Sequence, residues 1–299
     1  MHDLAQLRAL HAVARNGSIS GAADALHVTI SAVSQRLAKL EREVGQPLLE
    51  RHGRSVRLTD SALLLVGYIE QILLLMGEAE AALEGQKGAV TGTLSIAAFP
   101  TAARGLVSGT LRSLREDYPN LRVEFTELEP EESLPRVVRG DVDIAVVQDW
   151  FTSPLQIPDV LMKEHLLDDV TDVALPAGHP LADCETVELS ELANDPWVTW
   201  SVGQMCHNWL LDTIREHGVQ PRIAHTAAEY ATQLALVAGG NGVAMIPRLG
   251  RDGTPSGVRI VRVEPVLSRQ VFALWRNEAV RRPAIRAAVE ALVTAAARQ

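Results

Sequence analysis

The sequence of 299 residues predicts an α/β protein headed by a small winged, mostly helical domain, and three observations carry that expectation. Charge is divided unevenly. Residues 1–60 hold eight Lys/Arg against six Asp/Glu, a net of +2, whereas residues 61–299 carry a net of −11. The first sixty residues read as short helices punctuated by Gly and Pro, while apolar runs from Leu94 onward alternate with helical patterns. Between them lies one long, regularly apolar segment. Phosphate binding needs a local basic surface, so the overall charge of −9 does not exclude nucleic acid.

Composition narrows the class further. With 47% apolar and 22% charged residues the chain is ordinary globular protein. Its start, MHDLAQLRALHAVARNG, has no basic stretch leading into an apolar core, which argues against a secretory leader and for the cytoplasm. Cys184 and Cys206 are too few for a disulfide framework or a structural zinc site. The most apolar stretch, 62–83, is interrupted by Glu70, Gln71, Glu78 and Glu80, so no membrane span is expected.

In the first domain, Leu4, Leu7, Leu10, His11 and Ala14 share one helix face, ending at Asn16-Gly17. Ser18 caps a short helix from Ile19 to Leu26. Thr29 caps a third helix to Val44, stopped by Gly45 and Pro47. Its apolar residues Val33, Leu37, Leu40 and Val44 form a narrow stripe, and Ser31, Gln35, Lys39 and Arg42 point away from it. Residues 48–51 and 56–58 read as short strands round the basic tip His52-Gly53-Arg54-Ser55. Two helices joined by a tight turn, followed by such a hairpin, make a winged helix-turn-helix. Gln on its outer helix can pair with adenine, and basic residues can reach guanine or phosphate. The expected DNA contacts are Thr29, Ser31, Ser34, Gln35, Arg36, Lys39 and Arg42 on the helix, with Arg51 and Arg54 on the wing.

Residues 4–62 resemble the N-terminal domain of LysR-type transcriptional regulators. The resemblance rests on Ala22-Ala23, Leu26, Ser34, Leu37, Leu40-Glu41, Gly45, Pro47-Leu48, Arg51, Gly53-Arg54 and Leu58-Thr59. The chain departs from the family at Ile30-Ser31, where Gln-Pro is common, at Leu49, where Phe is usual, and at Ala62, where Gly is. Ile30 either closes the core or touches a thymine methyl group.

Positions 62, 65, 69, 72, 76, 79 and 83 hold Ala, Leu, Ile, Ile, Met, Ala and Leu, spaced three and four apart as in a coiled-coil seam. This predicts a connecting helix over 60–84, and Leu65, Ile69, Ile72, Met76 and Leu83 are its expected dimerisation residues, in line with the resemblance. Residues 85–92 make the expected hinge. The domain expectation is therefore 1–60 for DNA, 61–91 for the linker and 92–299 for a sensor.

Within 92–299, the order β-α-β-α-β over 94–147 implies parallel strands with crossovers, and the later alternation suggests a second α/β lobe inserted into the first. Lobe I is expected over about 92–160 and 266–299, and lobe II over about 161–265. Pro119, Leu134, Gly140, Asp143, the segment 175–181, Gly242-Val243 and Pro247 resemble the effector-binding domain of the same family, which is similar to type 2 periplasmic binding proteins. Ligands of open α/β sheets sit beyond strand ends and near helix N-termini. Thr101, Gln148, Trp150, Ser201, Gly203 and Thr226 are the expected effector residues, with Thr101 at the start of a helix and Gln148 and Trp150 just past a strand.

The sequence contains no G-x-S-x-G, Walker A, H-E-x-x-H or C-x-x-C motif, so no enzyme, metal or cofactor is expected. Two alternatives stay open: a solute-binding protein without a regulatory role, and a redox sensor through Cys206. The expected partners are double-stranded DNA with an inverted-repeat operator, a small-molecule effector and a second copy in a homodimer. A homotetramer and contact with RNA polymerase are left open.

Overall fold

The computed structural model describes residues 3–52, 55–87, 89–150 and 154–299, so Arg54, at the wing tip, lies outside the described residues. The chain divides into two compact units, Met1–Ala81 and Ala82–Gln299.

The first unit is built from α1 (Leu4–Asn16), α2 (Ile19–Ala25), α3 (Ile30–Val44), β1 (Leu49–His52), β2 (Ser55–Leu58) and α4 (Asp60–Lys87) as far as Ala81. The local signals behave as expected. Ser18 and Thr29 accept hydrogen bonds from Gly21 N and Ala32 N at 3.0 and 3.1 Å, capping α2 and α3. Gly17 and Gly45 close α1 and α3 with φ of +66° and +75°, which glycine adopts without steric cost. Leu10, Val33, Leu40 and Leu48 fill the core, and β1 pairs antiparallel with β2.

The long helix departs from the expected seam. Ala62 and Ile69 are fully buried in the core of their own unit, with Leu65, Val66 and Leu73 packed beside them. Leu64, Tyr68, Ile72, Leu75, Ala79 and Leu83 lie instead on a face open to solvent. Leu65 and Ile69 thus belong to the domain's interior, and Met76 sits at the border, half-exposed. The helix is apolar nearly all round at 62–66, so spacing alone does not separate its two faces. By length and composition alone the window Asp60–Gly77 is apolar enough to cross a membrane, although Asp60 and Glu70 lie within it. Its inner face is nevertheless packed against α1 to α3 side chains.

The second unit contains β3 (Gly92–Ala98), α5 (Pro100–Ala102), a π-helical turn (Ala103–Val107), α6 (Ser108–Asp117), β4 (Leu121–Glu127), α7 (Pro130–Val138) and β5 (Ile144–Trp150). There follow β6 (Leu161–Pro176), β7 (Thr186–Glu188), β8 (Pro196–Thr199), α8 (Met205–Glu216), β9 (Arg222–Thr226) and α9 (Tyr230–Ala238). The chain closes with β10 (Ala244–Pro247), β11 (Val258–Glu264), β12 (Leu267–Arg276) and α10 (Pro283–Ala296). The main sheet has the order β4-β3-β5-β12-β6-β11-β7, with β10 also paired to β6. Strands β3, β4 and β5 are parallel, as the crossovers require.

Strand β6 is one continuous element of sixteen residues. Its first part pairs with β12, and its end pairs with β10 and β11. Leu166 accordingly sits in the core with Phe99, Leu106 and Ile285, whereas Val173 and Leu175 sit in the core with Trp197, Leu210 and Met245. Two lobes therefore share a continuous strand. Gly242, at φ +144°, is fixed by space as well: a Cβ there would lie 2.3 Å from the Pro196 carbonyl oxygen.

Candidate functional site

Helix α3 displays a polar face set by its apolar stripe. Val33, Leu37 and Leu40 are buried, and Ser31, Ser34, Gln35, Lys39 and Arg42 are exposed on the other side. Arg36 is half-buried at the edge. Lys39 lies 3.9 Å from Glu43, and Arg42 Nε donates to the Ala38 carbonyl at 3.2 Å, so both stems are laid along the helix. Thr29 is committed to its cap. Ile30 is 55% exposed, which removes the core-closing alternative and leaves an apolar side chain on the outer end of the helix.

Glu41 has a role that no sequence pattern announces. Its Oε1 accepts hydrogen bonds from Leu48 N at 2.8 Å and Leu49 N at 3.1 Å. These bonds fasten the start of β1 to α3, so the wing strand and the outer helix are held in one geometry. Arg51 lies in β1, opposite Val56.

The second region is the junction of the lobes. Arg269, on β12, is fully buried, and sequence reasoning missed it. Its Nε and Nη2 donate to Asp169 Oδ2 at 3.0 and 2.7 Å, Nη2 donates to Thr101 Oγ1 at 2.6 Å, and Nη1 donates to Gln148 Oε1. Asp169 Oδ1 accepts from Leu249 N at 3.1 Å, so one carboxylate ties β6, β12 and the turn after β10. The guanidinium also lies over the rings of Phe99 and Trp150, at 4.8 and 5.7 Å. Burial is the largest single influence and works against its charge, but Asp169, together with Tyr230 and Cys206, outweighs it and the pKa of Arg269 is raised.

Beside this cluster is a cavity of about 260 Å³. Glu129, Glu131, Glu132 and Gln148 line it from lobe I, and Trp200, Gly203, Gln204, Met205 and Cys206 line it from lobe II. Glu129 has its pKa raised from the ordinary 4.5 to about 7, chiefly by burial and then by Glu131. The Cys206 thiol accepts from Gln148 Nε2 at 3.3 Å, and burial pushes its pKa up to about 12. Such a thiol is not poised as a thiolate nucleophile. Among the described residues no group of His, Cys, Asp and Glu is placed to hold a metal ion.

The six residues expected to meet an effector are thus separated by role. Gln148 and Gly203 line the cavity. Gln148 and Trp150 lie inside β5 rather than past its end, because that strand continues through three further residues, and Trp150 stacks on Trp209 with centroids 3.6 Å apart. Thr101 is the second residue of α5, since Pro100 begins the helix and Phe99 occupies the cap; its hydroxyl serves Arg269. Ser201 is half-buried in the loop before α8, and its carbonyl accepts from Gln204 N at 3.2 Å. Thr226 is exposed at the end of β9 and does not line the cavity.

Comparison with known proteins agrees with both halves. Residues 4–63 match the family model of the bacterial regulatory helix-turn-helix protein, lysR family, and residues 87–297 match the LysR substrate binding domain. A probable hydrogen peroxide-inducible genes activator of Mycobacterium avium is 32% identical over 246 residues, covering 82% of this chain and 78% of the relative. The uncharacterised HTH-type transcriptional regulator YnfL of Escherichia coli is 28% identical over 289 residues, covering 95% of each. Among solved structures, a full-length OxyR variant from Pseudomonas aeruginosa shares the fold with a TM-score of 0.71 at 20% identity, covering 98% of both chains. Full-length CbnR complexed with its target DNA shares it with a TM-score of 0.65 at 20% identity, covering 98% of this chain and 99% of that one. A winged helix-turn-helix, a long linking helix and a two-lobed substrate-binding domain in this order place the chain in the LysR family of transcriptional regulators.

Proposed function

We propose that this regulator binds an inverted repeat in double-stranded DNA as a homodimer, reads base edges with α3, and changes its grip when a small molecule occupies the lobe junction. The observation that carries the reading is the polar outer face of α3, with Gln35 and Ser31 exposed beside Lys39 and Arg42. A helix of this kind fits the major groove, and a two-fold dimer presents two of them to two half-sites. The open face of α4, with Leu64, Tyr68, Ile72, Leu75 and Leu83, supports the pairing of copies, and Arg51 and Arg54 on the wing complete the DNA contact by gripping backbone or minor groove.

In this reading the protein works in the cytoplasm and is not an enzyme. The effector is held by Gln148, Gly203 and their cavity neighbours, with Ser201 at the rim and Thr101 acting through Arg269. A thiol held protonated at Cys206 supports small-molecule sensing over redox sensing. The test is retardation of the chain's own upstream DNA by purified protein, against a random duplex of equal length. Equal affinity for both removes sequence-specific recognition.

A further inference from the structure

On the reading that the lobe junction holds the effector, we propose that this chain's effector is a small organic cation: an ammonium group on a compact apolar or aromatic frame, seated between the carboxylate of Glu129 and the ring of Trp200.

The lining carries three carboxylates and no cationic side chain. Glu129, Glu131 and Glu132 face it, and among the described residues none donates a hydrogen bond to the carboxylate of Glu129 or forms an ion pair with it. The neighbouring cation, Arg269, is already engaged by Asp169, Gln148 and Thr101. Gln204 Oε1 is buried and unpartnered on the opposite wall. An ammonium supplies three donors and no acceptor, which is the complement of such a lining. The Trp200 ring adds the attraction of an aromatic face for a cation. A cavity of about 260 Å³ lies just below the usual span for drug-sized ligands, so the frame must be compact.

The helix N-termini at Pro130 and Met205 flank the same cavity and by themselves favour an anion. Glu131 and Glu132 already occupy the first turn of α7, however, and although Glu132 lies 3.9 Å from Arg136, an anion would still meet Glu129 and Glu131. Charge excess decides for the cation.

Protonation is coupled to binding. The groups that face Glu129 are Glu131 and Glu132 of α7, Glu127 of β4, Arg269 of β12, Cys206 of α8 and Tyr230 of α9. Glu129 is neutral below about pH 7 and ionised above it. Cation affinity therefore rises with pH, by up to about tenfold per unit below 7, and flattens above it.

Calorimetry on the full chain with benzylammonium, benzoate and benzyl alcohol tests the assignment, since the three share one frame and differ in charge. The expected result is one benzylammonium per chain, tighter at high pH, with Glu129→Gln weakening it about tenfold or more and removing the pH dependence. Tryptophan fluorescence confirms that each variant is folded. Benzoate binding in preference, and lost in Trp200→Ala, would overturn the cation while leaving the junction as the effector site. Benzylammonium binding unchanged in both Glu129→Gln and Trp200→Ala would overturn the cation and the junction together. Absence of binding by all three would overturn the cation assignment.

Discussion

Removing the Asp169 carboxylate should destabilise the sensor unit by about 3–5 kcal/mol, because it strands a buried arginine. Arg269 and Asp169 have side chains 1% exposed, and the carboxylate accepts two of the guanidinium's bonds at 2.7 and 3.0 Å and the Leu249 amide at 3.1 Å. In Asp169→Ala the remaining partners, Thr101 and Gln148, are neutral, so the positive charge stays in the interior without a counter-charge. Removing both charges is different. The double variant Asp169→Leu/Arg269→Met should recover most of the loss, since an apolar pair of similar volume escapes the desolvation of two ions. All five tryptophans, at 150, 197, 200, 209 and 275, lie in Ala82–Gln299, so urea denaturation followed by tryptophan fluorescence reports this unit alone. A loss below about 1 kcal/mol in Asp169→Ala, the range of an exposed pair, would refute the reasoning.

Three further outcomes follow from the same geometry. Gln35→Ala should weaken binding to the selected operator by about 1–3 kcal/mol and leave random-sequence binding nearly unchanged, as read by fluorescence anisotropy; equal losses would place Gln35 outside base readout. Leu75 is 61% exposed and Ile69 fully buried, so Leu75→Glu should give a folded monomer by sedimentation, whereas Ile69→Glu should unfold the N-terminal unit; an intact Leu75→Glu dimer would remove the open face of α4 from assembly. Glu129 binds a proton more readily when folded than when unfolded, so the effector-free chain should lose stability as pH rises from about 4.5 to about 7, by roughly 3 kcal/mol at most, and Glu129→Gln should abolish that slope in pH-dependent denaturation.

The N-terminal unit was legible because its signals are local. The stripe at 33, 37, 40 and 44 and the caps at Ser18, Thr29 and Gly45 lie within single turns of the residues they govern. The assignment of faces on α4 was not, because Leu63 to Val66 are apolar in every direction and only tertiary packing separates Leu65 from Leu64. In the sensor, element order was readable while strand ends were not. Gln148 and Asp149 look like the end of an apolar run, yet β5 passes through them because Arg269 and Leu155 N supply their partners. Arg269 itself lies 100 residues from Asp169 and 168 from Thr101, so no spacing pattern announces the cluster. Cys206 stands out in the sequence for its chemistry, but its position on the cavity wall depends on two lobes meeting.

The most direct test of the account is selection of bound duplexes from a random DNA pool by the full-length chain. Two copies of α3 related by a two-fold axis predict an enriched inverted repeat, with half-sites about one helical turn apart or a multiple of that, 10–10.5 base pairs per turn. Replacing Gln35 by Ala should relax the preference at one position of each half-site. An unenriched pool, or a motif without two-fold symmetry, would contradict the account at its centre.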